Sequence, residues 1–191
     1  LFDLLSEIDT DNASGELYLT DVVGKAVARG LHCAAVRCAE RETLGVNSRV
    51  ELMQAEKEFQ NLRRAVALED GVSMLAPETV HFSYDTVIGR DAIIEQNVVF
   101  GPGVTVESGA QIRAFSHLEG AHVSRGCIIG PYARLRPGAE LAEDVKIGNF
   151  VEIKASALDE GAKVNHLSYI GDAHIGARAN IGAGTITCNY D

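Results

Sequence analysis

Residues 82–118, FSYDTVIGRDAIIEQNVVFGPGVTVESGAQIRAFSHL, place an aliphatic or aromatic side chain at every sixth position: Phe82, Ile88, Ile94, Phe100, Val106, Ile112 and Leu118. A sustained period of six is the signature of a parallel β-helix, in which coils stack through strand hydrogen bonds and bury the repeating residue along the axis. The beat slips by one and resumes at Ile129, Leu135, Leu141, Ile147 and Ile153. It slips again to Leu158, Val164 and Ile170, and once more to Ile175 and Ile181. Corner adjustments are therefore expected near 119–128, 154–158 and 171–175. Three hexads make one triangular coil of the left-handed form, and about six coils fit the pattern. Glycine often follows the buried position, as in IGRD, FGPG and IGNF, where a corner is expected to demand unusual dihedrals.

Upstream the period is different. Residues 1–49 read as mixed α/β: a helix tail, a polar turn at DTDNASGE, a helix from about Leu19 to Arg29 and a short strand at HCAAVRC. In SRVELMQAEKEFQNLRRAVA, Ser48 and Glu51 form a capping box, and Leu52, Phe59, Leu62 and Val66 keep one apolar stripe. That segment, 50–70, reads as a linker helix packing one face on its neighbours. The repeat domain occupies 71–191. The chain opens inside a helical pattern and ends inside a repeat, so we expect an excerpt of a longer protein.

Composition narrows the classes of partner. A formal net charge of -10 argues against nucleic acid, whose phosphates would be repelled. No apolar run approaches membrane-spanning length. The cysteines at 33, 38, 127 and 188 form no CxxC pair, which fits reduced thiols and a cytoplasmic setting rather than a disulfide framework.

Coil length converts spacing into geometry. Arg136 and Lys154 are eighteen apart, and each follows a buried position (Leu135, Ile153). They should stack on one outer wall at the strand spacing of about 4.8 Å. Like charges that close repel unless an anion is near, so the pair reads either as solvated surface or as a phosphate site. His166 and Tyr169 share a later hexad, with Asn180 near the next corner. A neutral imidazole there reads either as a surface group or as a base for an amine attacking an acyl group.

These residues carry a resemblance. RLRPGAEL, IGNFVEIK, VNHLSYIGDA and NIGAGTITCNYD, in this order and spacing, resemble the acetyltransferase domain of the bifunctional N-acetylglucosamine-1-phosphate uridylyltransferase/glucosamine-1-phosphate N-acetyltransferase family. GELYLTD and GVNSR resemble the end of that family's nucleotidyltransferase (pyrophosphorylase) domain. The resemblance implies a mainly β protein: a left-handed β-helix after a linker helix and an α/β nucleotidyltransferase remnant. It implies acetyl transfer from acetyl-CoA to glucosamine 1-phosphate. In the full-length protein it also implies uridylyl transfer from UTP with Mg²⁺, giving UDP-N-acetylglucosamine for peptidoglycan and lipopolysaccharide, in a homotrimer.

By motif, the resemblance gives Arg136 and Lys154 to the sugar phosphate and His166 the general-base role. Tyr169 and Asn180 would bind sugar, and Ala183, Asn189 and Tyr190 acetyl-CoA. Asn47 of GVNSR would be a Mg²⁺ ligand, alone too few for an ion that prefers six oxygens. Two positions depart from the family pattern: Ala155 replaces a lysine, which should thin the positive field, and Leu17 replaces a tyrosine, which should alter packing. Two other readings compete: another hexapeptide-repeat sugar acyltransferase, and a zinc enzyme resembling γ-class carbonic anhydrases through His81, His117 and His122.

Overall fold

The structure, a computed structural model, describes residues 1–188; Asn189 and Tyr190 lie outside the described residues. The chain divides into two compact units, Leu1–Gly45 and Val46–Asp191. The first holds helices α1 (Phe2–Leu5) and α2 (Asp21–Ala28) and a short 3-10 turn at Glu40–Glu42. No strand forms at residues 32–38, contrary to the expectation from HCAAVRC. A strand needs a hydrogen-bonding neighbour, and this unit contains none among its described residues. Leu17 is 65 % exposed, so the departure there packs little.

In the second unit the residue at every sixth position turns inward, as the period requires. Three parallel sheets form the walls of a left-handed β-helix. Wall one stacks Ser73–Met74, Ile93–Ile94, Gln111–Ile112, Ile128–Ile129, Lys146–Asn149, Lys163–His166 and Asn180–Ile181. Wall two stacks Val99–Phe100, His117–Leu118, Arg134–Leu135, Glu152–Lys154 and Tyr169–Gly171. Wall three stacks Val87–Ile88, Thr105–Val106, Ala121–Val123, Ala139–Leu141, Ser156–Leu158 and His174–Ile175. Phe82, Phe100, Ile94, Ile112, Leu118 and Ile129 are among the largest fully buried side chains, and the Phe82 and Phe100 rings stack at 5.4 Å. The interior is a file of aliphatic side chains whose removal from water stabilises each coil against the next.

All three slips of the beat fall at one corner, where wall two turns into wall three. Leu118 to Val123, Ile153 to Leu158 and Ile170 to Ile175 are five-residue sides, whereas Phe100 to Val106 and Leu135 to Leu141 keep six. Paired positions are accordingly eighteen apart at Arg134↔Glu152 and seventeen apart at Glu152↔Tyr169.

The glycines after the buried positions meet the expectation only in part. Gly130, after Ile129, lies in the left-handed region with φ of 89°, but Gly89, Gly148 and Gly171 do not; there the left-handed residue falls one or two positions later, at Asp91, Phe150 and Asp172. These glycines are needed for close approach instead: an added Cβ at 148 would overlap the backbone oxygen of Asn165.

Helix α3 (Arg49–Glu69) is capped as the sequence predicts. Ser48 Oγ accepts from the Glu51 N–H at 3.2 Å, and Glu51 Oε2 accepts from the Asn47 N–H at 2.6 Å. Its packing face is not the whole apolar stripe, of which only Phe59 is half-buried. Leu52, Leu62 and Val66 stay 49 %, 52 % and 39 % exposed, while Gln60 is buried. The physical reason lies in the first coil, whose outer strand edge has no strand above it. Gln60 Nε2 donates to the Phe82 carbonyl at 2.6 Å and its Oε1 accepts from the Phe82 N–H at 2.9 Å. Arg64 Nε and Nη2 donate to the Val80 carbonyl at 3.0 and 2.9 Å, and Arg63 Nη2 donates to that of Thr86. Buried backbone groups must be paired, and the polar face of α3 does so.

Candidate active site on the second wall

Arg136 and Lys154 are brought side by side. Arg134 pairs with Glu152 and Leu135 with Ile153, which sets Arg136 beside Lys154 one step on, and the Arg136 N–H donates to the Ile153 carbonyl at 2.8 Å. Their repulsion is met by carboxylates that spacing did not single out. Arg136 Nη1 donates to Glu152 Oε1 at 2.9 Å, Glu152 Oε2 lies 3.7 Å from Arg134 Nη1, and Lys154 Nζ lies 3.7 Å from Asp172 Oδ2. Both cations remain about one third exposed, at 37 % and 33 % of their side-chain surface. They are thus accessible to an anion that can outcompete partly solvated carboxylates.

Tyr169 pairs with Glu152 and Gly171 with Lys154. The Tyr169 hydroxyl lies over the α-carbon of Gly171, a position only a glycine leaves open, so it sits at the level of Lys154 on the wall. A depression of about 440 Å³ opens beside it, lined by Tyr132, Arg134, Phe150, Glu152, Leu167 and Tyr169. Its rim is a column of corner side chains in the left-handed region, in which Phe115 stacks on Tyr132 at 4.9 Å and Tyr132 on Phe150 at 5.3 Å.

His166 ends its strand on wall one, and Leu167, with φ of 48°, turns the chain into wall two, two residues before Tyr169. The imidazole is exposed, and its Nδ1 lies 2.9 Å from Asn149 Oδ1. Asn180 stands on the next strand of wall one, its Oδ1 3.5 Å from Asn165 Nδ2. Ala183 lies exposed in the turn after that strand.

The metal readings gain no support from the geometry. His81 and His117 share wall two with Val99 between them, while His122 faces wall three and lies 3.2 Å from Glu107. Asn47 sits at the start of α3 beside a carboxylate already engaged in capping. The described residues contain no group of three or more metal-capable His, Cys, Asp or Glu side chains, so neither zinc nor Mg²⁺ fits what this chain alone provides.

Comparison with known proteins agrees with the class. Residues 85–120 and 120–155 match the family described as bacterial transferase hexapeptide (six repeats), in keeping with the β-helix of hexapeptide repeats. Over its whole length the chain is similar to proteins named bifunctional protein GlmU. It is 65 % identical over 191 residues to the one from Jannaschia sp. (strain CCS1), covering 100 % of this chain and 42 % of that protein. With the same coverage it is 67 % identical to that of Ruegeria sp. (strain TM1040). To that of Azorhizobium caulinodans it is 60 % identical over 188 residues, 98 % of this chain and 42 % of the relative. The chain therefore spans less than half the length of these relatives.

Proposed function

We propose that the protein carrying this chain transfers the acetyl group of acetyl-CoA to the amine of glucosamine 1-phosphate, and that wall two binds the sugar phosphate. The observation that carries the reading is the Arg136–Lys154 pair within one corner of His166, cations and a titratable base on adjoining walls. Phosphate would take charge-assisted hydrogen bonds from Arg136 and Lys154, with Tyr169 and Asn180 on the sugar. The amine attacks the thioester carbonyl, a C–N bond forms and the C–S bond breaks. The proton released from nitrogen passes to His166 and on to the departing thiolate. Ala183, Asn189 and Tyr190 would contact acetyl-CoA.

Relatives more than twice as long lead us to propose uridylyl transfer from UTP to the acetylated sugar phosphate as a second activity. Asn47 would be one ligand of its Mg²⁺, the others lying outside the span described. A cytoplasmic homotrimer with acetyl-transfer sites between subunits completes the proposal. The test is thiol release by the full-length protein with acetyl-CoA and glucosamine 1-phosphate. Release dependent on that sugar is expected, and release only with UDP-sugars would replace this reading by another hexapeptide acyltransferase.

A further inference from the structure

We infer that Asn149 is a positioning residue for His166, fixing the tautomer and the direction in which its free nitrogen points; the inference rests on His166 being the base of the proposed acetyl transfer. The strands of wall one are two residues long at Ile93–Ile94, Gln111–Ile112, Ile128–Ile129 and Asn180–Ile181, but four residues long at Lys146–Asn149 and Lys163–His166. Pairing is extended only there, and the extension ends on Asn149↔His166. Between the ends lies Gly148, whose missing side chain is what lets the Asn165 backbone oxygen come close. The backbones are tied as well: the Leu167 N–H donates to the Asn149 carbonyl at 3.2 Å, and Ser168 Oγ donates to the His166 carbonyl at 2.8 Å.

An amide oxygen only accepts, so the ring nitrogen facing Asn149 Oδ1 at 2.9 Å carries the hydrogen. In the neutral ring the lone pair then resides on Nε2, away from Asn149, where an incoming amine can reach it. The reverse amide orientation would place the hydrogen on Nε2 and leave no base. The titratable groups on the paired elements are Lys146 and Lys163, a register pair three residues back on the same two strands, and Glu152 and Tyr169 across the corner. None of the ion pairs among the described residues includes His166.

The test is steady-state acetyl transfer by the full-length protein across pH, with folding checked by circular dichroism. Asn149→Leu removes the acceptor at similar volume. It is expected to lower kcat about 10- to 100-fold, part of the contribution of a positioned base, with KM for glucosamine 1-phosphate within about threefold. Asn149→Asp keeps an acceptor and adds a charge that favours the imidazolium. It should retain most of the plateau rate and move the acidic limb of the kcat profile up by about one pH unit.

A Leu variant within threefold of the parent, or an Asp variant whose profile overlays the parent's or whose plateau is as low as the Leu variant's, overturns the inference. If the Leu variant does not fold, the Asp profile decides alone. His166→Gln separates the two claims: kcat within threefold of the parent there removes the base itself, whatever Asn149 does.

Discussion

At Arg136 and Lys154 the sequence and the structure agree on placement and differ on charge. Each cation carries a carboxylate neighbour, so a sugar phosphate would bind by exchanging one anion for another. A charge-assisted hydrogen bond contributes about 1.5–3 kcal/mol, and partial exposure favours the lower end. Arg136→Ala or Lys154→Ala should therefore lower kcat/KM for glucosamine 1-phosphate about tenfold or more while leaving uridylyl transfer unchanged. Unchanged acetyl transfer in both variants would remove the phosphate site.

The pair was legible because the coil from 136 to 154 is a full eighteen residues. The Asn149–His166 pair was not, because the five-residue side at Ile153–Leu158 shortens that coil to seventeen. An eighteen-residue rule sets His166 beside Gly148, and one step is enough to change which side chain meets the ring. Asp172, eighteen from Lys154, stands one step past Gly171, the register partner of Lys154, and its carboxylate still lies 3.7 Å from the lysine Nζ. Cysteine chemistry is simpler to predict. Burial pushes the Cys127 thiol up to about 12, whereas Cys33, Cys38 and Cys188 are exposed. A disulfide reagent should titrate three thiols in the folded chain and the fourth only on unfolding; four equally fast thiols would contradict the buried placement.

Among the elements, helix α3 shows how a correct boundary can accompany a wrong face. Its start was legible in Ser48 and Glu51 because capping is a local interaction. Its buried side was not, because apolar periodicity reports where hydrocarbon lies and not which backbone groups elsewhere lack partners. Gln60 meets both polar groups of Phe82, so Gln60→Leu, though apolar, would strand a buried donor and acceptor. Each orphan costs about 1–3 kcal/mol, and the melting temperature should fall by several degrees. A variant as stable as the parent would show that water replaces the amide.

The cap also has a pH signature. Hydrogen bonds from the Asn47 N–H and from Ser48 hold the Glu51 carboxyl below its ordinary value of 4.5. Because the folded value is the lower one, this stabilisation is complete above 4.5 and disappears as pH falls through the folded value. The difference in melting temperature between the parent and Glu51→Gln should thus be present at neutral pH and vanish in acid. A difference that persists below that range would assign the loss to packing.

For the whole chain, the contrast between its two units follows from what each can bury. In residues 1–45 only Leu4 and Ala26 are buried, whereas residues 46–188 carry a continuous core from Val72 to Ile170. A segment of this size with so little interior cannot offset the entropy of ordering its backbone, while stacked coils add burial with every turn. Opening of the first unit should therefore cost far less than opening of the β-helix, and proteases read that difference directly. Trypsin can cut at Lys25, Arg29, Arg37 and Arg41 in the first unit and at Arg49 where α3 begins. Brief digestion of the 191-residue chain is expected to remove the first unit and leave a resistant fragment starting at Glu42 or Val50, identified by intact mass. The lysines and arginines beyond it sit on a helix tied to the first coil or within the stacked coils, on strands or in the short turns between them, where cleavage requires unfolding of the core. A resistant product that starts inside the repeats, or loss of the β-helix at the same rate as residues 1–45, would mean that the coils are not the stable part of this chain.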